Sequence, residues 1–196
     1  MLALVPTFVT IMLVAIVGYL LGSISVANRV ARRHGVADLR TVGDRNPGFW
    51  NTKEQLGAAA AMPVFVVDTA KGAIAAAYGA LLATVGPWWL PYLAAGAAMV
   101  GHAWPVFAGF RGGRSVLTFV GAALVFAPLP AFAAVGLFVM VWMGSRNFAW
   151  GARAGVIAFP VFQIFIEGPT RTALTGVLMT FIGMRFVTAS SRAHRS

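Results

Sequence analysis

The sequence has no cysteine, which excludes disulfides, thiolate metal sites and a cysteine nucleophile. It is poor in acid: five Asp and Glu stand against fifteen Lys and Arg, a formal net charge of +10. Its three histidines, His34, His102 and His194, lie far apart and no HExxH spacing occurs. A metal enzyme is therefore not expected, and no cofactor is implied. The N-terminus lacks the basic start of a secretory signal, and its apolar stretch is too long for one, so a retained membrane span is expected. No long-period or inverted repeat is visible; the small-xxx-small spacing of GYLLG (18–22) suits helix packing.

What the chain has in excess is apolar surface. Of its 196 residues 59% are hydrophobic and only 10% charged, with a mean hydropathy of +0.81. A soluble domain of this size has too much surface for its volume to hide that much apolar material, so the solvent for most of the chain is lipid. The reading is a single all-α membrane domain over 1–196. Apolar segments occupy 2–27, 57–83, 91–108, 116–126, 131–143, 154–166 and 171–187. Between them lie a polar loop at 28–56, an interfacial GPWWLP turn at 86–91, a basic glycine hairpin at 109–115, a loop at 144–153 and a basic tail at 188–196.

The later segments are short. Eleven to fourteen helical residues reach only about 17–21 Å, against a hydrocarbon layer of about 30 Å. Seven spanning or partly spanning helices are expected; the alternative merges 116–143 into one proline-kinked span and gives six. With seven crossings and the N-terminus outside, twelve of the fifteen cations fall in the 28–56 loop, the hairpin, the 144–153 loop and the tail, all cytoplasmic. The basic excess is then explained by topology and does not imply nucleic acid.

Several polar residues stand out against this background. Asp68 and Lys71, three apart, share a helix face inside an apolar segment, either as a self-neutralising pair or as the wall of a pocket that shows Lys71 to an anion. His102 lies in GHAWP, shortly before the hairpin. In the RGGR of 111–114, the N–H groups of Gly112 and Gly113 can form an anion nest, with Arg111 and Arg114 adding contacts to phosphate oxygens. From Ser115 onward a helix begins, whose N-terminus also favours an anion. A tight positive-inside turn is the plain alternative.

Taken together, these stretches resemble the PlsY family of bacterial integral-membrane acyl-phosphate:glycerol-3-phosphate acyltransferases. GSI (22–24) closes the first span as in the family. DLRTVGDRNPGFWN (38–51) is similar to D-L-R-x-x-G-S-G-N-x-G-A-T-N, and DTAKG (68–72) to D-x-x-K-G. GHAWPVFAGFRGGRSV (101–116) resembles G-H-x-x-P-V-F-x-x-F-x-G-G-K-G-V, and SRN (145–147) stands at T-R-Y. The resemblance implies a seven-helix fold in the bacterial plasma membrane with a cytoplasm-facing site. It implies acyl transfer from acyl phosphate to the 1-hydroxyl of glycerol 3-phosphate, giving lysophosphatidate without an acyl-enzyme. On this reading His102, Lys71 and Arg114 carry the chemistry. Asn46, Asn51, Asp68, Arg111, Gly112, Gly113, Ser115 and Arg146 bind substrate phosphate. The partners are the two substrates and the bilayer.

The chain also departs from the pattern. The family's first-motif serine is Asp44, and its arginine three residues after Asn51 is Glu54. Its glycine-motif lysine is Arg114, followed by Ser115 in place of glycine. Ala149 and Gly151 replace serines, and only His194 and Arg195 remain of a terminal H-R-x-N-I. At about 4–6 Å an unpaired carboxylate disfavours a phosphate dianion by the order of a kcal/mol; Arg45 and Lys53 are the expected neutralising neighbours. Beside the enzyme stand two other classes: a non-catalytic relative that binds anionic lipid or scaffolds a complex, and a small transporter.

Overall fold

The computed structural model describes residues 7–193, with side chains through Thr188. His194 and Arg195 lie outside the described residues. There are nine α-helices among the described residues and no strand: α1 (Thr7–Gly22), α2 (Ala27–Arg33), α3 (Phe49–Leu56), α4 (Ala58–Ala83), α5 (Leu90–Ala103), α6 (Val116–Phe126), α7 (Pro128–Ser145), α8 (Phe148–Glu167) and α9 (Pro169–Ala193). Four stretches are long and apolar enough to cross a membrane: Thr7–Arg33, Ala58–Ala83, Pro128–Ser145 and Phe148–Glu167.

Several boundaries differ from the sequence expectation, each for a local reason. The polar 28–56 segment is largely helical, holding α2, a 3-10 turn at Leu39–Thr41 and α3. The third apolar segment stops at Ala103, because Trp104 precedes Pro105 and leaves the helical region (φ −133°, ψ 69°). Segments 131–143 and 154–166 lengthen into α7 and α8, of 18 and 20 residues. Pro128 and Pro130 sit in the first turn of α7, where no N–H donor is needed. The expected 144–153 loop shrinks to a sharp corner, since the Asn147 side chain accepts from the Ala149 N–H (2.9 Å) and starts α8. The merged 116–143 span is not formed: Ala127 (φ −144°, ψ 64°) separates α6 from α7.

Lipid gives apolar helices no reason to leave it, so they hold together through close backbone approach and internal polar groups. Two glycine seams supply the approach. A Cβ on Gly72 of α4 would collide with the Thr118 carbonyl of α6, and one on Gly121 with the Thr69 carbonyl of α4. Gly22 and Gly101 do the same between α1 and α5, against the carbonyls of Ala98 and Tyr19. Aromatic rings fill the space beyond: Tyr92 lies 4.4 Å from Phe126, and Phe119 lies 5.7 Å from Phe159, centroid to centroid.

The connections sort to two ends. At one, the loop before α3 meets the 104–115 hairpin through Asp44 and Arg114, the α7–α8 corner meets α3 through Phe148 and Trp50 (4.9 Å), and Arg185 of α9 reaches the hairpin. At the other, Trp88 stacks with Arg171 (5.7 Å), and Gly86 lies against Thr10 near the start of α1. The hairpin and the 144–153 corner thus share an end.

Gly72→Ala and Gly121→Ala are each expected to destabilise the bundle by roughly 1–3 kcal/mol, as overpacking does. Gly136→Ala, with nothing within 4 Å of the added carbon, is expected to be neutral or mildly stabilising. Thermal unfolding in detergent checks both; equal midpoints for all three variants would refute the seam.

Candidate active site

Asp68 and Lys71 extend from one face of α4 into the interior. The ammonium lies 2.8 Å from Asp68 Oδ1 and donates to the Ile24 carbonyl at 2.9 Å. That carbonyl sits at the break between α1 and α2, where the regular helix ladder stops. From α5, His102 brings Nδ1 to 3.5 Å from the same Asp68 oxygen, and all three side chains are buried. The carboxylate is thus shared by a lysine and an imidazole. Mutual neutralisation is what makes two charges tolerable at this depth, where each alone costs several kcal/mol, roughly.

The hairpin closes over the imidazole. A Cβ on Gly113 would overlap His102 Nε2 and press on Asn46 Oδ1. Only glycine lets backbone lie against the ring at this point, and it leaves Nε2 facing the hairpin and Asn46.

The anion nest expected at Gly112 and Gly113 is not formed. Their N–H groups donate to the carbonyls of Ala103 and His102, each at 3.1 Å. It is their carbonyls that face outward, and both accept from Arg185 at 3.2–3.5 Å. Ser115 is likewise committed: it is buried, at φ 66°, with its hydroxyl donated to the Met99 carbonyl (2.8 Å). Asn51 is fully buried and ties the loop together, its amide donating to the Leu39 and Val42 carbonyls at 3.0 Å each. Neither residue offers a donor to a substrate.

The two unexpected carboxylates find partners beyond their chain neighbours. Asp44 takes Arg114 Nη1 at 2.7 Å and the Asn46 N–H at 3.0 Å, so a cation seventy positions away neutralises it. Glu54 accepts from the Trp50 indole at 2.7 Å, while Lys53 lies over the Trp50 ring at 4.9 Å. Arg114 also stacks on Phe186 at 4.6 Å, and its Nε is buried without a hydrogen-bond partner.

Arg111 faces away from this cluster, into a polar cavity of about 200 Å³ that it lines with Ser25, Asn28, Arg29, Arg32 and Arg40. Arg40 closes one side, its Nη1 donating to the Arg111 carbonyl at 3.4 Å. The cavity adjoins the buried cluster through the chain itself: Ser25 follows Ile24, Pro47 of its wall follows Asn46, and Arg111 precedes Gly112. Arg146 belongs to neither group; it is exposed at the α7–α8 corner, at φ 51°. Of the two replaced serine positions, Ala149 is exposed and Gly151 is buried against Phe138. Sequence reasoning named Arg111 but missed Arg185 and the other cavity arginines, Arg29, Arg32 and Arg40. Only the i,i+3 spacing of Arg29 and Arg32 hinted at a shared face.

A family model described as glycerol-3-phosphate acyltransferase matches residues 12–195. The glycerol-3-phosphate acyltransferase of Synechococcus sp. (strain JA-3-3Ab) is 34% identical over 187 residues, 95% of this chain and 89% of the relative. That of Clostridioides difficile (strain 630) is 34% identical over 158 residues, 79% of this chain and 78% of the relative. Two crystal structures of PlsY, an integral membrane glycerol 3-phosphate acyltransferase, superpose on the chain. The glycerol 3-phosphate form gives a TM-score of 0.79 at 27% identity, and the lysophosphatidic acid form 0.76 at 25%; each match covers 94% of this chain and 92% of the other.

Asp38 anchors the cavity wall by gripping Arg40 at 2.7 Å and accepting the Asn28 amide at 2.9 Å. The Arg40 guanidinium holds the Asp38 carboxyl below the usual carboxylate range, and the pair raises Arg40. A depressed folded value means stability that is present above the unfolded pKa of about 3.9 and lost as pH falls through the folded one. Asp38→Asn is therefore expected to lower the thermal midpoint by a constant amount from about pH 5 to 8. The gap to wild type should close only below about pH 4; a gap that closes between about pH 6 and 7 would refute the assignment.

Proposed function

The chain belongs to the PlsY family of glycerol-3-phosphate acyltransferases and is a membrane acyltransferase; from that premise we propose that it moves an acyl group from acyl phosphate to the 1-hydroxyl of glycerol 3-phosphate, at the site around His102. The observation that carries the reading is the meeting of His102, Asp68 and Lys71 beneath Gly113 and Asn46, with Arg114 as the next residue of the hairpin. Acyl phosphate is already an activated anhydride, so the protein has to hold two anions side by side and place a hydroxyl against the carbonyl carbon. The hydroxyl oxygen forms the new ester bond as the carbon–oxygen bond to phosphate breaks. The hydroxyl proton passes to His102 Nε2 and from there to the departing phosphate. Asp68 on the Nδ1 side orients the ring and balances the transient imidazolium. Lys71 and Arg114 hold phosphate oxygens, and Asn46 positions the acceptor beside Gly113.

The site lies at the end that gathers the cation-rich connections, which supports a cytoplasmic orientation. On this reading α1 and α4–α9 form one domain of seven spanning or partly spanning helices in the bacterial inner membrane, with the N-terminus outside and the C-terminus cytoplasmic.

His102→Ala is expected to lower kcat by about 10²–10⁴, and Arg114→Ala to raise KM for glycerol 3-phosphate. Lys71→Ala leaves Asp68 buried without its partner, a loss of roughly 3–5 kcal/mol. The cleaner variant is therefore the double substitution Asp68→Asn with Lys71→Met, which is expected to fold and to be inactive. Asp44→Asn removes an anion that competes for Arg114; a partly exposed pair of about 0.2–1 kcal/mol translates into a KM lower by up to about fivefold. Steady-state acyl transfer in detergent, with the thermal midpoint of each variant, checks the set. Robust turnover by both that double variant and Arg114→Ala would remove the site.

A further inference from the structure

The chain contains five carboxylates, and among the described residues each is already engaged. Asp38 holds Arg40, Asp44 holds Arg114, Glu54 takes the Trp50 indole, Asp68 holds Lys71, and Glu167 takes the Gln163 amide at 3.0 Å. None is left for Arg29, Arg32 or Arg111, although all three line the same cavity of about 200 Å³ beside Arg40. Three separate chain segments bring these arginines together: α2, the 3-10 turn that follows it, and the hairpin. Ser25 and Asn28 add polar lining at the helix break.

Arg29, Arg32 and Arg111 are exposed, so water and salt screen part of their repulsion; an anion entering the hollow supplies the counter-charge that no carboxylate of the described residues gives them. Planar guanidinium forks suit phosphate oxygens and bind them bidentately. At about 200 Å³ the cavity has room for a phosphate headgroup and a few carbons, not for a whole acyl chain. Apolar groups sit at its edge: Phe107, which lines the cavity with Ala108 and Pro47, is 62% exposed, and Phe110 on the same hairpin is 57% exposed. Aromatic rings of this kind insert at the headgroup level.

We infer that the Arg29–Arg32–Arg40–Arg111 cavity is a second phosphate site, separate from the cluster around His102, that takes the head of a phosphate monoester whose tail lies along Phe107 and Phe110. The same chemistry has two sources, a membrane-borne amphiphile or free phosphate in the cytoplasm. The inference does not depend on proton transfer at His102. Loss of the acyl-transfer reading would show in the His102 and Lys71 variants, whereas loss of this one shows in binding.

The test titrates the purified full chain, in phosphatidylcholine nanodiscs, with dodecyl phosphate and separately with inorganic phosphate, following the thermal midpoint. Dodecyl phosphate is expected to raise the midpoint, and Arg29→Gln/Arg32→Gln to need at least about fivefold more of it for the same rise. KM for glycerol 3-phosphate should stay within about twofold, the sites being distinct. Arg29→Lys/Arg32→Lys keeps the charge and is expected to recover part of the response, which a purely structural role of these arginines would not produce. If inorganic phosphate acts as well as dodecyl phosphate, and the Gln variant weakens both, the site reads the headgroup alone and the free anion is the source. A response confined to dodecyl phosphate assigns the membrane-borne one. An unchanged dodecyl phosphate response in the Gln variant, or no wild-type response to either probe, overturns the inference.

Discussion

A lysine and an aspartate 2.8 Å apart, buried in a bundle bathed by lipid, set where three helices meet. Neither charge is tolerable without the other, and the pair alone leaves donors and acceptors unfilled. Lys71 gives a second of its three N–H donors to the Ile24 carbonyl, which exists as a free acceptor only because the first helix breaks at Ser23. Asp68 faces the His102 ring on α5, whose Nδ1 lies 3.5 Å away, beyond hydrogen-bond geometry. The register of α1 and α5 against α4 is thereby tied to two polar contacts, and the glycine seams allow the backbones close enough to make them. The same geometry that relieves the buried charges presents the imidazole to the hairpin. Stability and site come from one arrangement.

Much of this is legible in the sequence, and the line between what is and is not is physical. Helix positions follow from apolar run length. The shared face of Asp68 and Lys71 follows from three-residue spacing, and the weight placed on His102 from its neighbourhood. Helix ends are less legible, because prolines at 128 and 130 read as breaks when they are starts. A proline's effect depends on its position in a turn, and sequence does not show that position. The hairpin departs from expectation for a different reason. RGGR shows which groups could bind an anion, but not whether their N–H groups are already used. In the fold they are, by the last two carbonyls of α5. Asn51 and Ser115 fall to the same accounting: a polar side chain in a tightly folded loop serves unpaired backbone before it serves a ligand.

The arginine cavity is illegible in sequence because it is a tertiary fact. Arg29, Arg32, Arg40 and Arg111 span more than 80 positions, and nothing in any one segment marks them as neighbours. In sequence, their excess charge is fully explained by membrane topology. Topology accounts for cations gathering at one end of the bundle, but not for their surrounding one hollow when the whole of that end was open to them. The shortage of acid sharpens the point, since Asp38 neutralises only Arg40 and the other four acidic side chains are engaged elsewhere, which leaves Arg29, Arg32 and Arg111 no carboxylate partner among the described residues.

The pairing of Asp44 with Arg114 makes two departures from the family pattern into one. Read separately, a carboxylate in place of the first-motif serine weakens a phosphate site, and an arginine in place of the lysine alters its geometry. Read together at 2.7 Å, each explains the other. A lysine beside Asp44 would keep further N–H donors, but on one compact head whose charge the carboxylate shares. Arginine has five N–H donors in a rigid fork, so one edge can hold Asp44 while others stay directed elsewhere. Arg114 meets that requirement: Nη1 is bound, its Nε is buried with no hydrogen-bond partner, and the plane is steadied by Phe186. With an added negative charge in the loop, the extended fork of arginine suits a hairpin that holds both Asp44 and a phosphate better than the compact head of lysine does. Together the two replacements leave this pair one unit more negative than serine with lysine, and they move the competition for that cation inside the protein.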